Sequence, residues 1–223
     1  MVDRQHRLVT EVLGITRLRA IVGISMGCMN AWQWAEAYPD AMDGIMPVAC
    51  FPSPITGRNL LWRRMVVNAI KSDPAWAGGN YKSQPPSVAQ GLGILRLMID
   101  GVPHLQETMP TPENADAFLR NIREQAAQVD ANDVIHALEA SSDFDTRPGL
   151  SRVKAKVLAV NFADDEFYRD SLQTLQRDIH PIPGARLVVR GISDESAGHL
   201  SMTRPALWAD HARDFVSWLT EDP

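Results

Sequence analysis

The chain has 223 residues, of which 45% are hydrophobic and 22% charged, and its net charge is −5. This length can bury a real core and is most simply one domain with an insertion. Without a basic block, nucleic acid and anionic membrane are poor partners. No apolar run reaches the ~18–20 residues that cross a bilayer, and the charged residues 1–12 do not resemble a signal peptide.

The two cysteines, Cys28 and Cys50, fall in predicted core elements and have no nearby Cys or His at a metal-ligand spacing. We therefore expect no metal site, a reducing environment for both thiols, and a cytoplasmic protein.

The first fifty residues predict alternating helices and strands. A helix is expected over residues 3–13, a strand over 19–24, a helix over 26–38 and a second buried strand over 44–50. Pro47 lies inside that second strand and predicts an interrupted or edge-like ladder there. The α-β-α-β order is typical of a parallel sheet with crossover helices.

Residues 51–148 contain no convincing strand. Four amphipathic or capped segments predict helices, and such a run inside an α/β pattern indicates a lid over residues 52–148. Residues 1–51 and 149–223 would then form the core. There, strands are expected over 157–162 and 186–190, and helices over 169–179 and 206–219, which gives a sheet of about four strands.

The residues Gly23-Ile24-Ser25-Met26-Gly27 follow the first predicted strand and lead directly into the next helix. Glycines on both sides of the serine allow the sharp strand-to-helix turn that presents its hydroxyl to substrate. The N–H of Met26, at the start of the helix, would then face a developing oxyanion. The less specific interpretation is a serine in an ordinary turn.

Two later strands also end in polar residues: Asp164 and Asp165 follow one, and His199 follows the other. Because the carboxyl ends of parallel strands meet at one edge of a sheet, these side chains are expected to converge with Ser25. We expect Ser25 to be the nucleophile, His199 the general base and then acid, and one of the two aspartates the residue that orients the imidazole. The other five histidines fall on predicted helices or helix ends.

The order Ser…Asp…His is that of the α/β-hydrolase triad, and the chain resembles the homoserine O-acetyltransferase group of that fold over its whole length. The resemblance rests on LGITRLRAIVGISMGCMNAWQWAEAYPD, DPAWAGGNY and the ADDE…GH pair. It implies that the acid is Asp165, with Arg169 where the group usually has proline. It also implies acetyl-CoA as the acyl donor if the chain is an acetyltransferase, and otherwise no cofactor.

The resemblance also implies a substrate-facing arginine in the first lid helix, at the position of Val67 here. A valine cannot hold a substrate carboxylate, which disfavours homoserine as acceptor. Arg63 and Arg64 lie about one turn earlier and are an alternative for this role, which we do not favour.

Members of this fold have several strands before the nucleophile strand and a second oxyanion amide, whereas here one helix precedes residue 19. The chain is expected to be truncated relative to the family, with an exposed nucleophile strand and with Met26 as the remaining oxyanion donor. It could be a fragment, pair its edge with a second copy, or pair with another polypeptide. We favour a homo-oligomer that covers the edge.

Three functions remain open from the sequence. The first is acyl transfer from a small ester or acyl substrate through an acyl-serine intermediate, with water or an alcohol as acceptor. The second is homoserine O-acetyltransferase activity, and the third is a non-catalytic fold that lacks half of its oxyanion hole.

Overall fold

The computed structural model describes residues 1–168 and 172–221. Four parallel strands form one sheet in the order β1-β2-β3-β4. They are β1 (Leu18–Ile24), β2 (Met42–Val48), β3 (Lys156–Phe162) and β4 (Arg186–Arg190). The predicted parallel sheet of about four strands is confirmed.

Helices precede, connect and follow the strands of this sheet in the chain. They are α1 (Val2–Arg7), α2 (Met26–Ala37), α3 (Gly57–Lys71), α4 (Ser87–Ile99), α5 (Val102–Thr108), α6 (Pro112–Ala126), α7 (Ala131–Glu139), α8 (Leu172–Ile179) and α9 (Ala209–Thr220). The predicted start of α8 near Arg169 lies outside the described residues. The sequence prediction missed α5. Its seven residues are too few to show a repeated helical spacing of apolar side chains.

Two apolar layers hold the sheet, one on each face. On one face α2 and α8 cover β2 and β3, with Trp32 of α2 and Leu175 of α8 fully buried. On the other face α9 supplies Phe215 and Leu219. Burying side chains of this size contributes roughly 1.5–3 kcal/mol each, so these layers fix how the strand ends are arranged.

Pro47 occupies a central strand, between β1 and β3. The pairing of β2 with β3 passes from Ile45–Val157 to Val48–Val160 without a pair between them. The predicted interruption is therefore present, because proline has no N–H to donate, whereas the edge-like alternative is wrong. The strand also ends two residues earlier than predicted, because Ala49 adopts a positive φ of 59°.

Strand β1 has a strand neighbour on one side only within the described residues, as predicted for the nucleophile strand. Val22 and Ile24 are 53% and 39% exposed along it. At its start, Arg17 and Arg19 both hydrogen bond to the carboxylate of Asp43 on β2, which holds the pair together from outside.

The segment between β2 and β3 has an apolar core of its own. Its buried residues come from α3, α4, α6 and α7 and are Val66, Val67, Ile70, Val88, Ala126, Ala131 and Ile135. None of the helices in residues 1–168 and 172–221 combines the length and apolar character needed to cross a membrane.

Cys28 and Cys50 form a disulfide, so the prediction of two reduced thiols is wrong. Cys28 lies in the first turn of α2 and Cys50 follows β2 by two residues; their Cα atoms are 5.9 Å apart. Sequence reasoning missed the pair because residues 22 apart become neighbours only when β1 and β2 pair in register.

Candidate active site

The turn between β1 and α2 carries Ser25 in a strained conformation, with φ 53° and ψ −115°. A non-glycine residue in such a region costs roughly 1–3 kcal/mol and persists only where its surroundings enforce it. Here the N–H of Ser25 donates to the carbonyl of Val48 at 2.9 Å. The hydroxyl is thereby held above the carboxyl end of the sheet.

The two glycines of the motif are not equivalent. A Cβ on Gly23 would lie 2.1 Å from the carbonyl oxygen of Gly27, so only glycine fits there. A Cβ on Gly27 would meet no described atom within 4 Å. The tight turn therefore requires the first glycine, while the second lies in open space.

The three predicted triad residues lie together in one hydrogen-bonded chain. The Ser25 hydroxyl lies 2.8 Å from Nε2 of His199, and Nδ1 of His199 lies 2.7 Å from Oδ2 of Asp165. Asp165 is fully buried, and His199 nearly so. With a carboxylate accepting from Nδ1–H, Nε2 carries the lone pair that accepts the serine proton.

The two adjacent aspartates contact different groups. The other oxygen of Asp165, Oδ1, accepts the N–H of Phe167 at 2.9 Å, which fixes the carboxylate plane. Asp164 does not contact the imidazole; its Oδ2 accepts the N–H of Gly198 at 2.7 Å. The sequence left open which of the two aspartates orients the imidazole. Of the two, only Asp165 contacts the ring of His199.

Aromatic rings cover the inner side of the histidine. The ring of Phe167 lies 4.4 Å from that of His199, and the ring of Tyr168, which stacks on Phe51, lies 6.5 Å away. Burial, with the nearby Asp165 carboxylate adding to it, raises the pKa of the Tyr168 phenol well above its usual range. Tyr168 therefore stays protonated and serves as a neutral wall of the site.

The N–H of Met26 occupies the first position of α2, where a helix has no internal acceptor for it. It is the expected oxyanion donor. A cavity of about 220 Å³ begins beside the Met26 side chain and extends to Ser141 at the end of α7. A second cavity, of about 170 Å³, lies behind Phe167 and Tyr168.

Arg63, the alternative to the arginine missing at Val67, has contacts that the sequence could not predict. Its guanidinium hydrogen bonds to Asn59, to the carbonyl of Leu138 and to Ser141. Burial is the main cause that lowers the pKa of Arg63. Within the described residues it has no carboxylate in an ion pair. A half-buried positive charge among neutral groups beside the Ser141 cavity can receive an anionic group.

Val67 is 1% exposed and belongs to the apolar core of the helical segment. The resemblance to the homoserine O-acetyltransferase group implied a substrate-facing arginine at this position. Among the described residues, no group of three His, Cys, Asp or Glu side chains could hold a metal ion.

Comparison with known proteins supports the resemblance seen in the sequence. A probable acyltransferase of Methanothermobacter thermautotrophicus is 28% identical over 204 residues, which are 91% of this chain and 60% of the relative. A homoserine O-acetyltransferase of Trichormus variabilis is 31% identical over 222 residues, 89% of this chain and 58% of that protein. The chain thus spans about 60% of the length of these relatives.

Solved structures share the fold at low sequence identity. An acetylester hydrolase from Corynebacterium glutamicum superimposes with a TM-score of 0.82 at 22% identity. The superposition covers 99% of this chain and 66% of the hydrolase. Homoserine O-acetyltransferase from Bacillus anthracis gives 0.80 at 22% identity, with 99% and 65% covered.

The sequence profile of the alpha/beta hydrolase fold matches residues 1–200, which include the elbow, the acid loop and the histidine. A serine on a strand-to-helix turn, within reach of a histidine and an acid from later strand ends, is the arrangement that this fold builds. The chain therefore belongs to the α/β-hydrolase fold family.

Proposed function

We propose that the chain transfers acyl groups through a covalent acyl-serine intermediate on Ser25, as an esterase-like hydrolase or an O-acyltransferase. The observation that carries the proposal is the continuous hydrogen-bonded chain from Ser25 through His199 to Asp165. A serine hydroxyl is a weak nucleophile until a neighbouring base takes its proton, and this geometry supplies such a base.

In the acylation step, His199 takes the Ser25 proton at Nε2 while the serine oxygen attacks the carbonyl carbon of the ester or thioester. The tetrahedral oxyanion lies toward the N–H of Met26. Asp165 holds the imidazole in the productive tautomer and stabilises its positive charge. His199 then gives the proton to the departing oxygen or sulfur, and the acyl group stays on Ser25.

Deacylation runs the same steps in reverse order. Water or a small alcohol gives its proton to Nε2 of His199 and attacks the acyl carbon. The tetrahedral intermediate collapses and Ser25 regains its proton from the imidazolium. The acceptor that reaches the acyl-serine decides between hydrolysis and transfer.

Among the described residues, the oxyanion hole has one expected donor, the N–H of Met26. Loss of one donor typically lowers turnover by ~10²–10³. The competing proposal, a fold without activity, follows if a single donor is too little for turnover.

The test is p-nitrophenyl acetate turnover by the wild type and by Ser25→Ala. We expect a burst of p-nitrophenol equal to the enzyme concentration, and its loss in the variant. Equal rates in both proteins would support the non-catalytic alternative. Mass spectrometry of the quenched reaction should show one added acetyl group, on the peptide that contains Ser25.

A second candidate is homoserine O-acetyltransferase activity with acetyl-CoA as donor, favoured by the names of several relatives. The buried Val67 weighs against it, while Arg63 offers a charge of the right sign near the Ser141 cavity. Homoserine-dependent release of CoA, measured for the wild type and for Arg63→Ala, tests it. Activity that vanishes in the variant at low homoserine and recovers at high homoserine is expected if Arg63 binds the carboxylate.

We propose that residues 52–148 act as a lid, and that a small ester or acyl compound is the substrate. Their support is the separate apolar core of this segment and its contacts with the site, among them those at Ser141, Gly101 and Asn59. Limited proteolysis within 72–86, with and without a phosphonate bound to Ser25, should show protection when the lid closes over substrate.

We also propose that a second copy of the chain covers the outer side of β1. The exposed Val22 and Ile24 support this, because an apolar edge strand is an aggregation hazard unless something pairs with it. Sedimentation equilibrium is expected to give a dimer, and Val22→Lys a monomer. A well-folded wild-type monomer would end this proposal.

The cytoplasm remains the proposed location, because acetyl-CoA, the donor of the second candidate, is available there. The Cys28–Cys50 disulfide weighs against it, since disulfides are rare in that compartment. Fractionation of the cells that produce the chain should recover it with the cytoplasmic proteins if the proposal is right, with the Cys28–Cys50 bond intact. Recovery outside the cytoplasmic fraction would overturn the proposal.

A further inference from the structure

Asp164 is a buried carboxylate next to the catalytic acid, and the mechanism above gives it no part. It is 3% exposed, and its Oδ2 accepts the N–H of Gly198 at 2.7 Å. Gly198 immediately precedes His199 and has a positive φ of 59°, in the region that glycine tolerates best. The carboxylate therefore holds the backbone at the residue from which the histidine projects.

The helical segment between β2 and β3 closes over this hydrogen bond. A Cβ on Gly101 would lie 2.6 Å from both Oδ2 of Asp164 and the N–H nitrogen of Gly198, and a Cβ on Gly198 would lie 2.3 Å from the nitrogen of Gly101. Asp100, just before, is fixed by Arg96 at 2.9 Å. The backbone of Gly101 is thus packed directly against this hydrogen bond, and within the described residues Asp164 is the acceptor recorded for the Gly198 N–H.

The other side of the same loop is held separately. The hydroxyl of Ser201 accepts the N–H of Ala197 at 2.8 Å, and a short 3₁₀ turn continues over Gly198–Thr203. Asp164 is thus the group that determines the direction of the loop at Gly198 itself. Without it, a buried N–H would lack an acceptor and the loop would move to find one.

We propose that Asp164 is a positioning residue for His199, acting through the backbone of Gly198. This rests on the proposed function of Ser25 and His199. The two neighbouring carboxylates have different roles. Asp165 orients the imidazole ring, and Asp164 fixes the backbone of Gly198, which precedes His199. The imidazole lies 2.7 Å from one partner and 2.8 Å from the other, and both distances depend on where Gly198 is fixed.

The test separates the acceptor from its charge. Asp164→Ala removes both; Asp164→Asn removes the charge but retains a carbonyl oxygen that can accept from Gly198. Asp210→Ala, a similar deletion at an exposed position of α9, is the matched control. With p-nitrophenyl acetate, we expect Asp164→Ala to lower kcat by about 10²-fold with KM nearly unchanged. Asp164→Asn should recover most of this loss at the plateau of the pH profile.

A measurement that needs no turnover accompanies the kinetics. The proton that His199 shares with Asp165 should give a low-field ¹H NMR signal, assigned by its absence in His199→Gln. It is expected in the wild type, in Asp210→Ala and in Asp164→Asn, and to be lost or broadened in Asp164→Ala. This readout holds even if the wild type shows no Ser25-dependent burst, in which case the proposed function fails and the positioning proposal is still decided.

Two results would overturn the proposal. One is a persistent low-field signal, with kcat within twofold of the wild type, in Asp164→Ala. The other is an equal loss in Asp164→Asn and Asp164→Ala, which would assign the effect to charge and not to the Gly198 hydrogen bond. If Asp164→Ala does not fold, Asp164→Asn and Asp164→Ser decide: recovery with asparagine and an intermediate loss with the shorter serine are expected.

Discussion

Breaking the disulfide between Cys28 and Cys50 is a perturbation whose size can be worked out from the structure. The bond joins residues 22 apart, the first turn of α2 to the end of β2, and both residues are fully buried. Reduction leaves the native packing almost unchanged, so its main effect is on the unfolded chain, which gains freedom when this loop opens.

For a loop of this length the chain-entropy relation gives about 3 kcal/mol at 25 °C. In a protein of this size 1 kcal/mol corresponds to about 2–4 °C in Tm, so reduction should lower Tm by roughly 6–12 °C. The double variant Cys28→Ala/Cys50→Ala loses the same constraint and also two buried sulfur atoms. It should be less stable than the reduced wild type by a further ~1–2 kcal/mol.

The assay is thermal unfolding of the oxidised protein and of protein reduced in denaturant and refolded with a phosphine reductant present. Mass spectrometry after alkylation verifies the state of both cysteines. The double alanine variant is the control, because its Tm must not respond to the reductant. Equal Tm values for verified oxidised and reduced protein would refute the argument, since the bond would then constrain nothing that unfolding releases.

Three more predictions concern the elbow, the outer salt bridges and the buried phenol. Gly23→Ala should unfold or misfold the elbow because its Cβ would lie 2.1 Å from a backbone oxygen, whereas Gly27→Ala should raise stability by about 0.5–1 kcal/mol, as both melting curves would show. Hydrogen bonds from two arginines lower the pKa of Asp43. Its stabilisation is therefore present above the unfolded-state pKa of about 3.9 and is lost as pH falls through the lower folded value, so the Tm gap between wild type and Asp43→Asn should narrow steadily as pH falls below about 3.9. A gap that stays constant from neutral pH down to acid unfolding would contradict this. Because the pKa of Tyr168 is raised, the pH–rate profile of Tyr168→Phe should match the wild type in shape up to pH 10, and a lost alkaline limb would show that the phenol titrates.

The proximity of Ser25, His199 and Asp165 could be predicted because it depends on local pattern and strand order. The elbow consists of five consecutive residues, 23–27, and the acid and the histidine each follow a short apolar strand. Parallel strands bring their carboxyl ends to one edge, so Ser25, Asp165 and His199 could be expected to meet without knowledge of any contact.

The parts that it did not predict depend on contacts between distant segments. Cys28 meets Cys50 only through the register of β1 and β2. The partner of Asp164 is a backbone N–H that carries no side-chain signature. Pro47 could be interpreted as an interruption, but its central position could not be predicted, because β3, which pairs with one side of β2, follows only after residues 52–148.

The one-sided pairing of β1 also gives that strand two populations of amides. Leu18 donates its N–H to Ala41 of the neighbouring segment, and in a parallel pair alternate N–H groups face the same side. In the monomeric state, such as that expected for Val22→Lys, hydrogen exchange along Leu18–Ile24 should therefore alternate between slow and fast from one residue to the next. When a second strand docks on the free side, the fast amides alone should slow down, so their exchange rates would report at single-residue resolution whether the edge beside the nucleophile is occupied.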